Sequence, residues 1–441
     1  MPGSYNARPC RPRRVNTVDD DTHLATLPNG LRVLVIRTPG RSTLDLSVFV
    51  HTGSQNEAPR DNGISHMVEH MAFKGTASRD CQRINLDAES LGATVNAHTD
   101  KDHSAFHIHG LACDAGAFVR QLADIVMHGS FPADELERER QVILHEYVED
   151  EDDPLSVAFR LFDKLSFGTH PLAQPVIGPR RNIERFTRDE LLDCVRHRYC
   201  AGNTVVALAG DVDPQAVARD VEAAFGAMPV GQDSHVEAPH WQGGLRARAL
   251  AGCPQTHVVL GFALPALGGA HQAGVVAAAL LGEGMSSPLM DQLRERRGLV
   301  YYAACSADVL ELAGQFVIEA STAPAQLHEF FAEMVRLLQT QADGVDAVAL
   351  ERARRQIVVR ELRELERPSR RLEAATLELF ALGRVRRRAE AMAALAEVSA
   401  TQVRDAFATM LQGGASVAVA GKLRRGAEVE LRRWAAPLLR R

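Results

Sequence analysis

Two kinds of apolar spacing alternate along the chain and predict both strands and helices. The segments LRVLVIR (31–37), LDLSVFV (44–50) and THVVLGFAL (256–264) are short and have the spacing of strands. Helical spacing dominates elsewhere, notably in Pro132–Glu149 and Ala347–Leu365. The pattern therefore predicts an α+β fold in which helices pack against mainly antiparallel sheets.

The order of these elements repeats. In residues 84–126 and again in 289–335, a helical segment ending in glycine is followed by a strand, a turn, a second strand and an amphipathic helix. Leu136–Pro154 also aligns without gaps with Leu350–Pro368. The sequence therefore predicts two homologous domains, each a mainly antiparallel sheet packed against helices.

Composition suggests where these domains begin and end. At 441 residues the chain is too long for one ordinary core. We expect a disordered arm at 1–16, a first domain at 17–227, and a second at 249–441. The segment between them, 228–248, is rich in glycine, proline and polar residues and is interpreted as a linker.

The overall composition excludes several classes of protein. With 46% hydrophobic and 24% charged residues, it is typical of a soluble globular protein. No apolar run approaches the roughly 20 residues of a membrane helix, so no membrane span is expected. The net charge of −6 excludes a generally basic nucleic-acid binder. The seven cysteines contain no C-x-x-C, which argues against a disulfide framework and a cysteine zinc site.

The segment HMVEH contains the strongest candidate chemistry. On a helix, His66 and His70 lie one turn apart on the same face and can bind one metal ion. Neutral imidazole suits Zn²⁺, and Glu69 is placed to take a proton from water. A helix with solvated histidines is the alternative, but the interleaved apolar residues make a compact polar spot and favour a metal site.

The second half lacks this cluster. It contains no other H-x-x-E-H, and its aligned helix has Ala353 and Arg360 where the first half has Glu139 and Glu146. The repeat comparison therefore predicts one zinc ion per chain.

Several blocks together resemble a known family. H-x-x-E-H is the inverzincin signature. Over almost its whole length the chain is similar to the pitrilysin, insulin-degrading enzyme and mitochondrial processing peptidase family, in its two-domain, processing-peptidase-like branch. The blocks occur in the family's order: LPNGLRVLV, HTGSQNEAPRDNGISHMVEHMAFKGT, LGATVNAHT, ERERQVILHEY, GNTVVALAGDVD and LLGEGMSSPLMDQLRERRGLVYY.

The resemblance implies roles for further residues. Glu146 matches the family's third zinc ligand, and Glu139 matches a supporting glutamate earlier on the same helix. Arg294 and Tyr301 match a pair in the later domain that holds the substrate carbonyl and stabilises the oxyanion. From the residues alone, a surface arginine and a packed tyrosine would be the simpler interpretation.

The segment ATVNAHT resembles the family's edge strand that pairs with substrate backbone, and Asn96 and Ala97 are the matching positions. The family often has an aromatic residue where this chain has His98. Nearby, His103, His107 and His109 are interpreted as residues of an ordinary, partly exposed strand, with a second metal site as the alternative.

These features together predict a zinc-dependent endopeptidase of the bacterial cytoplasm that hydrolyses extended peptides, such as one precursor peptide. The alternative is a non-catalytic peptide-binding or scaffolding subunit, since the family includes inactive members. Family relatives with four domains complete their site within one polypeptide. A two-domain chain is therefore expected to pair with a second subunit, either the same chain or a homologous one.

Overall fold

The structure is a computed structural model that describes residues 15–231 and 235–439. The strands are β1 (Asn16–Asp19), β2 (Thr22–Thr26), β3 (Arg32–Arg37), β4 (Thr43–Val50), β5 (Thr94–Thr99), β6 (Ser104–Leu111), β7 (Thr204–Gly210), β8 (Gly244–Ala249), β9 (Thr256–Leu264), β10 (Val300–Val309), β11 (Gly314–Thr322) and β12 (Ser416–Gly421).

The α-helices of the described residues are α1 (Ile64–Ala72), α2 (Cys81–Glu89), α3 (Ala115–His128), α4 (Ala133–Asp152), α5 (Pro154–Phe167), α6 (Arg180–Arg185), α7 (Arg188–Arg198), α8 (Pro214–Phe225), α9 (Gln272–Gly282), α10 (Leu327–Asp343), α11 (Ala347–Leu365), α12 (Pro368–Leu382), α13 (Arg388–Ala396), α14 (Ala400–Gly413) and α15 (Ala427–Ala435). The first predicted helix thus continues three residues beyond Glu149, because Pro154 opens the next helix and Asp153 caps it.

The two sheets confirm the predicted repeat. The first has the order β1-β2-β3-β7-β4-β6-β5, and the second has the order β10-β11-β9-β12-β8. Read in the same direction, β8-β12-β9-β11-β10 matches β3-β7-β4-β6-β5 strand for strand. In each sheet one pair is parallel, β3 with β7 and β8 with β12, and the other pairs are antiparallel. The fold is therefore α+β with two homologous halves.

One face of each sheet is covered by a helix from the other half of the chain. Helix α12 packs Leu372, Ala375 and Leu379 against apolar residues of β3, β4 and β7. Reciprocally, α5 packs Phe162 and its neighbours against β9, β11 and β12. Since the middle of each sheet is covered on both faces, the central strands β7 and β12 are buried throughout and mostly apolar. This exchange ties the halves together through their cores.

Two strands begin inside segments that were predicted to lie between or before the domains. Residues 1–14 of the predicted arm lie outside the described part, and Asn16 already begins β1. Strand β8 begins at Gly244, inside the predicted linker, because its main chain pairs with β12. Residues 232–234 of that linker lie outside the description as well. The domain boundaries themselves stay a prediction.

Membrane-spanning helices and disulfides can be sought only in the described residues. No helix in them combines the length and apolar character that crossing a bilayer requires. Their cysteines are all free thiols.

Candidate metal centre and cleft

Helix α1 presents the H-x-x-E-H residues on one side and apolar residues on the other. His66 and His70 lie with ring centroids 4.7 Å apart, as one turn of helix requires. The opposite face is buried in the core of the first half through Ile64, Met67, Val68 and Met71. The helix is therefore held by apolar packing while its polar side chains face a cleft.

Glu146 on α4 completes a three-residue group with these histidines. Its Oε2 lies 3.5 Å from His70 Nε2 and 3.9 Å from His66 Nε2. One donor atom from each of the three residues lies within 4.8 Å of the others. Two imidazoles and one carboxylate form a common donor set of catalytic zinc sites, in which a fourth position stays open. Glu146 is 41% exposed, so the group opens toward solvent.

Burial and hydrogen bonding leave both imidazoles suited to bind a cation. Burial, aided by the neighbouring His70, lowers the pKa of His66 to about 3, so His66 is neutral near pH 7. His70 Nδ1 lies 3.0 Å from Glu139 Oε2, and it donates because a carboxylate only accepts. Its Nε2 therefore presents a lone pair to the group. Glu139 is itself paired with Lys74 at 2.7 Å.

The position of Glu139 follows from the periodicity of α4. It lies on the buried face of the helix with Leu136, Arg140 and Ile143. The equivalent position in α11 is Ala353, buried between Leu350 and Ile357. Arg360 aligns with Glu146 in the repeat and instead pairs with Glu283 at 2.7 Å. At the matching positions the second half therefore has residues that pack or pair locally.

Glu69 lies in the same cleft but outside the three-residue group. The cleft has a volume of about 410 Å³, and its wall includes Glu69, Glu146 and Asp150, with His66, His98, Thr99, Pro175, Val176 and Ile177. Burial raises the pKa of Glu69, and the nearby charge of Glu146 acts in the same direction. A raised pKa makes this carboxylate a stronger proton acceptor than an ordinary glutamate.

Glu57 is a residue that the sequence reasoning missed. Its buried carboxylate accepts hydrogen bonds from the backbone N–H groups of Gly63 and Ser65, both at 2.8 Å, and from Asn62 Nδ2 at 3.0 Å. Gly63, at φ +97°, precedes α1 and has no side chain that could cap it. Helix N-termini need acceptors, so an acidic residue shortly before a glycine-capped helix was the available signal.

The expected substrate strand lies at a sheet edge. Strand β5 ends the order of the first sheet, so one side of its backbone is unpaired within that sheet. Asn96 is exposed and its Oδ1 accepts the Ala97 N–H at 2.9 Å, while the next residues, His98 and Thr99, reach the cleft wall. The geometry is compatible with the pairing of an extended peptide.

Arg294 and Tyr301 belong to a different part of the chain, near the start of β10. Arg294 is part of a π-helical turn, Met290–Arg296, and Tyr301 is 78% exposed beside a register shift in β10. Neither is among the described residues that line the cleft. The role of this pair stays a prediction.

Comparison with known proteins places this architecture in a family. The family model described as Insulinase (Peptidase family M16) matches residues 32–180. A second family model, described as Peptidase M16 inactive domain, matches residues 185–357. The chain is 31% identical to an uncharacterized zinc protease of Rickettsia bellii over 77% of this chain and 82% of that one. It is 33% identical to an uncharacterized zinc protease of Mycobacterium tuberculosis over 74% of each chain.

The fold is also that of a protease from Helicobacter pylori, with a TM-score of 0.83 at 20% identity over 91% of this chain and 99% of that one. Fold and cleft thus define a two-domain metallopeptidase architecture. The chain belongs to the M16 peptidase family. Its cofactor is Zn²⁺, which the donor set of His66, His70 and Glu146 fits.

Proposed function

We propose that the protein is a zinc-dependent endopeptidase that hydrolyses extended peptides and processes a precursor peptide. The observation that carries the proposal is that Glu69 shares one cleft with the His66, His70 and Glu146 group. A bound Zn²⁺ supplies a Lewis acid for the peptide carbonyl and for water. Glu69 accepts the proton of the attacking water and delivers it to the leaving amine.

The substrate would bind as an added strand. The free edge of β5 supplies backbone donors and acceptors, and Asn96 and Ala97 lie on this strand just before it reaches the cleft wall. Such pairing selects an extended chain, because a folded segment cannot offer an unpaired strand. Asp150 extends the negative charge of the cleft beyond Glu146.

The oxyanion would be stabilised from a second subunit. Arg294 and Tyr301 are not among the described residues that line the cleft, and Tyr301 is 78% exposed. A second copy, or a homologous chain, would place this pair opposite the zinc. The alternative of a non-catalytic subunit is disfavoured because the chain retains Glu69, the zinc ligands and Tyr301.

The proposal is tested with a library of unstructured peptides and mass spectrometry of the products. The wild type should cleave within peptides, and Glu69→Gln should keep zinc while losing about 10²–10⁴-fold in turnover. Glu149→Gln, an exposed carboxylate on α4, is the matched control and should remain active. Zinc-loaded wild type that cleaves no peptide, or Glu69→Gln with wild-type turnover, would contradict the proposal.

A further inference from the structure

A second group of metal-ligating side chains lies where the two halves meet. It joins His98 on β5, His103 immediately before β6, and Glu373 on α12. The Nε2 atoms of the two histidines are 3.1 Å apart. Glu373 Oε1 lies 3.7 Å from His98 Nε2 and 3.8 Å from His103 Nε2. The group therefore combines two ligands from the first half with one from the second.

We propose that His98, His103 and Glu373 form a second binding site for a divalent transition-metal ion of the Zn²⁺ type, and that this ion fastens α12 to the β5–β6 hairpin. Tetrahedral Zn²⁺ with bonds of about 2.0–2.1 Å places its ligand atoms about 3.3 Å apart. The distances in the cluster lie close to this value. They also match the 3.5 and 3.9 Å between Glu146 and the histidines of the first centre.

His103 is held as a ligand by its other nitrogen. Its side chain is 2% exposed, and Nδ1 lies 2.7 Å from Asp102 Oδ1, to which it donates. When the ring is neutral, the lone pair of Nε2 is therefore directed into the cluster. A carboxylate that orients an imidazole in this way is the usual support of a metal-bound histidine.

A proton shared between the two imidazoles is the competing explanation. His98 Nδ1 lies 2.9 Å from His107 Nε2, and His107 Nδ1 lies 2.7 Å from Ser47 Oγ, so a continuous hydrogen-bonded chain can be drawn. That chain accounts for the 3.1 Å contact. It leaves Glu373 Oε1 beyond hydrogen-bond distance of both rings, whereas one ion at the centre accounts for all three distances.

The ion would add a cross-link beside the substrate strand. Helix α12 is already held on the first half by Arg371, which pairs with Asp21 at 2.5 Å, and by the apolar contact of Leu379. Because the ligands come from both halves, the complete site exists only when α12 is docked. Bound metal should therefore stabilise the docked fold. This ion is additional to the one predicted from sequence, and its binding does not depend on peptidase activity.

The experiment separates the two centres by removing the first. His66→Ala/His70→Ala protein, dialysed against buffered Zn²⁺ and then desalted, should hold about one zinc per chain, and the wild type about two. Adding Glu373→Gln to the double variant should remove that zinc and its stabilisation against thermal unfolding. His109→Gln is the control, since His109 contacts Asp45 outside the cluster and its loss should leave binding unchanged.

A folded double variant that binds no zinc would overturn the proposal and favour the proton-linked histidines. Zinc that remains bound after Glu373→Gln is added would also overturn it. If the double variant does not fold, the same comparison is made with both centres present. Glu373→Gln should then lower the zinc content from about two to about one per chain, with anomalous scattering lost at His98. An unchanged content would equally overturn the proposal.

Discussion

His70 donates from Nδ1 to Glu139 Oε2 over 3.0 Å. Through this contact, Glu139 on helix α4 orients a histidine of the metal centre. The carboxylate is largely buried and is also paired with Lys74. Its charge therefore acts on the ring with little screening by solvent. Such contacts raise the basicity of the ligand and fix the nitrogen that faces the ion.

We therefore predict that Glu139→Gln weakens zinc binding by about 10–100-fold while leaving the three ligands in place. Competition with a chromogenic chelator measures the affinity. Glu149→Gln is the matched control on the same helix. Equal affinities of Glu139→Gln and the wild type would show that the contact does not tune the ion.

Replacing Glu146 should separate ligation from proton transfer. Glu146→Gln removes the charged ligand and should lower zinc occupancy of the first centre together with activity, whereas Glu69→Gln should lower activity alone. Elemental analysis and peptide cleavage are measured on the same samples. Full occupancy of the first centre in Glu146→Gln would remove this residue from the ligand set.

Loss of the Glu57 carboxylate should destabilise the fold at the start of α1. Glu57→Ala leaves buried donors at Gly63, Ser65 and Asn62 without their acceptor, at about 1–3 kcal/mol each. Glu57→Gln retains one acceptor oxygen and should cost less. Urea unfolding of the zinc-free protein measures both, with Glu184→Gln as a surface control expected to cost at most about 1 kcal/mol. A Glu57→Ala protein as stable as that control would contradict the capping role.

The rate of hydrolysis should fall on the acid side at a higher pH than an ordinary glutamate would give. Burial raises the pKa of Glu69, and only the deprotonated carboxylate can accept a proton. As the pH falls through this raised pKa, kcat/KM should therefore decrease. The measurement is kcat/KM against pH, with zinc content followed at each point. Activity that persists to about pH 4.3 with zinc retained would contradict the assignment.

Mixed dimers should show whether the centre is completed across subunits. His66→Ala and Tyr301→Phe should each be nearly inactive alone. In a mixed dimer one site carries both defects and the other carries neither, so up to about half of the wild-type activity should return.

The mixed dimer is isolated after co-expression with two affinity tags, and each variant co-expressed with itself is the control. Absence of recovery in a confirmed mixed dimer would mean that Tyr301 acts within its own chain or that the partner is a different homologous subunit.

Much of the first centre followed from local spacing. One helical turn places His66 and His70 together wherever α1 lies. The gapless alignment of α4 with α11 indicated that the second half lacks counterparts of Glu139 and Glu146. Glu146 itself was assigned through family resemblance, since no local rule connects two separate helices. Glu57 was missed because two of its partners are backbone N–H groups, which every sequence has.

The sequence by itself determined the strands, the helices and their repetition, because apolar periodicity is a property of neighbouring residues. Only the tertiary structure decided that α5 and α12 cover the sheet of the opposite half, since an apolar helix face does not specify which sheet it will pack against. The same exchange brings Glu373 to His98 and His103. These residues are far apart in the chain and become neighbours because α12 is buried against the first sheet. No pattern of adjacent residues encodes that contact.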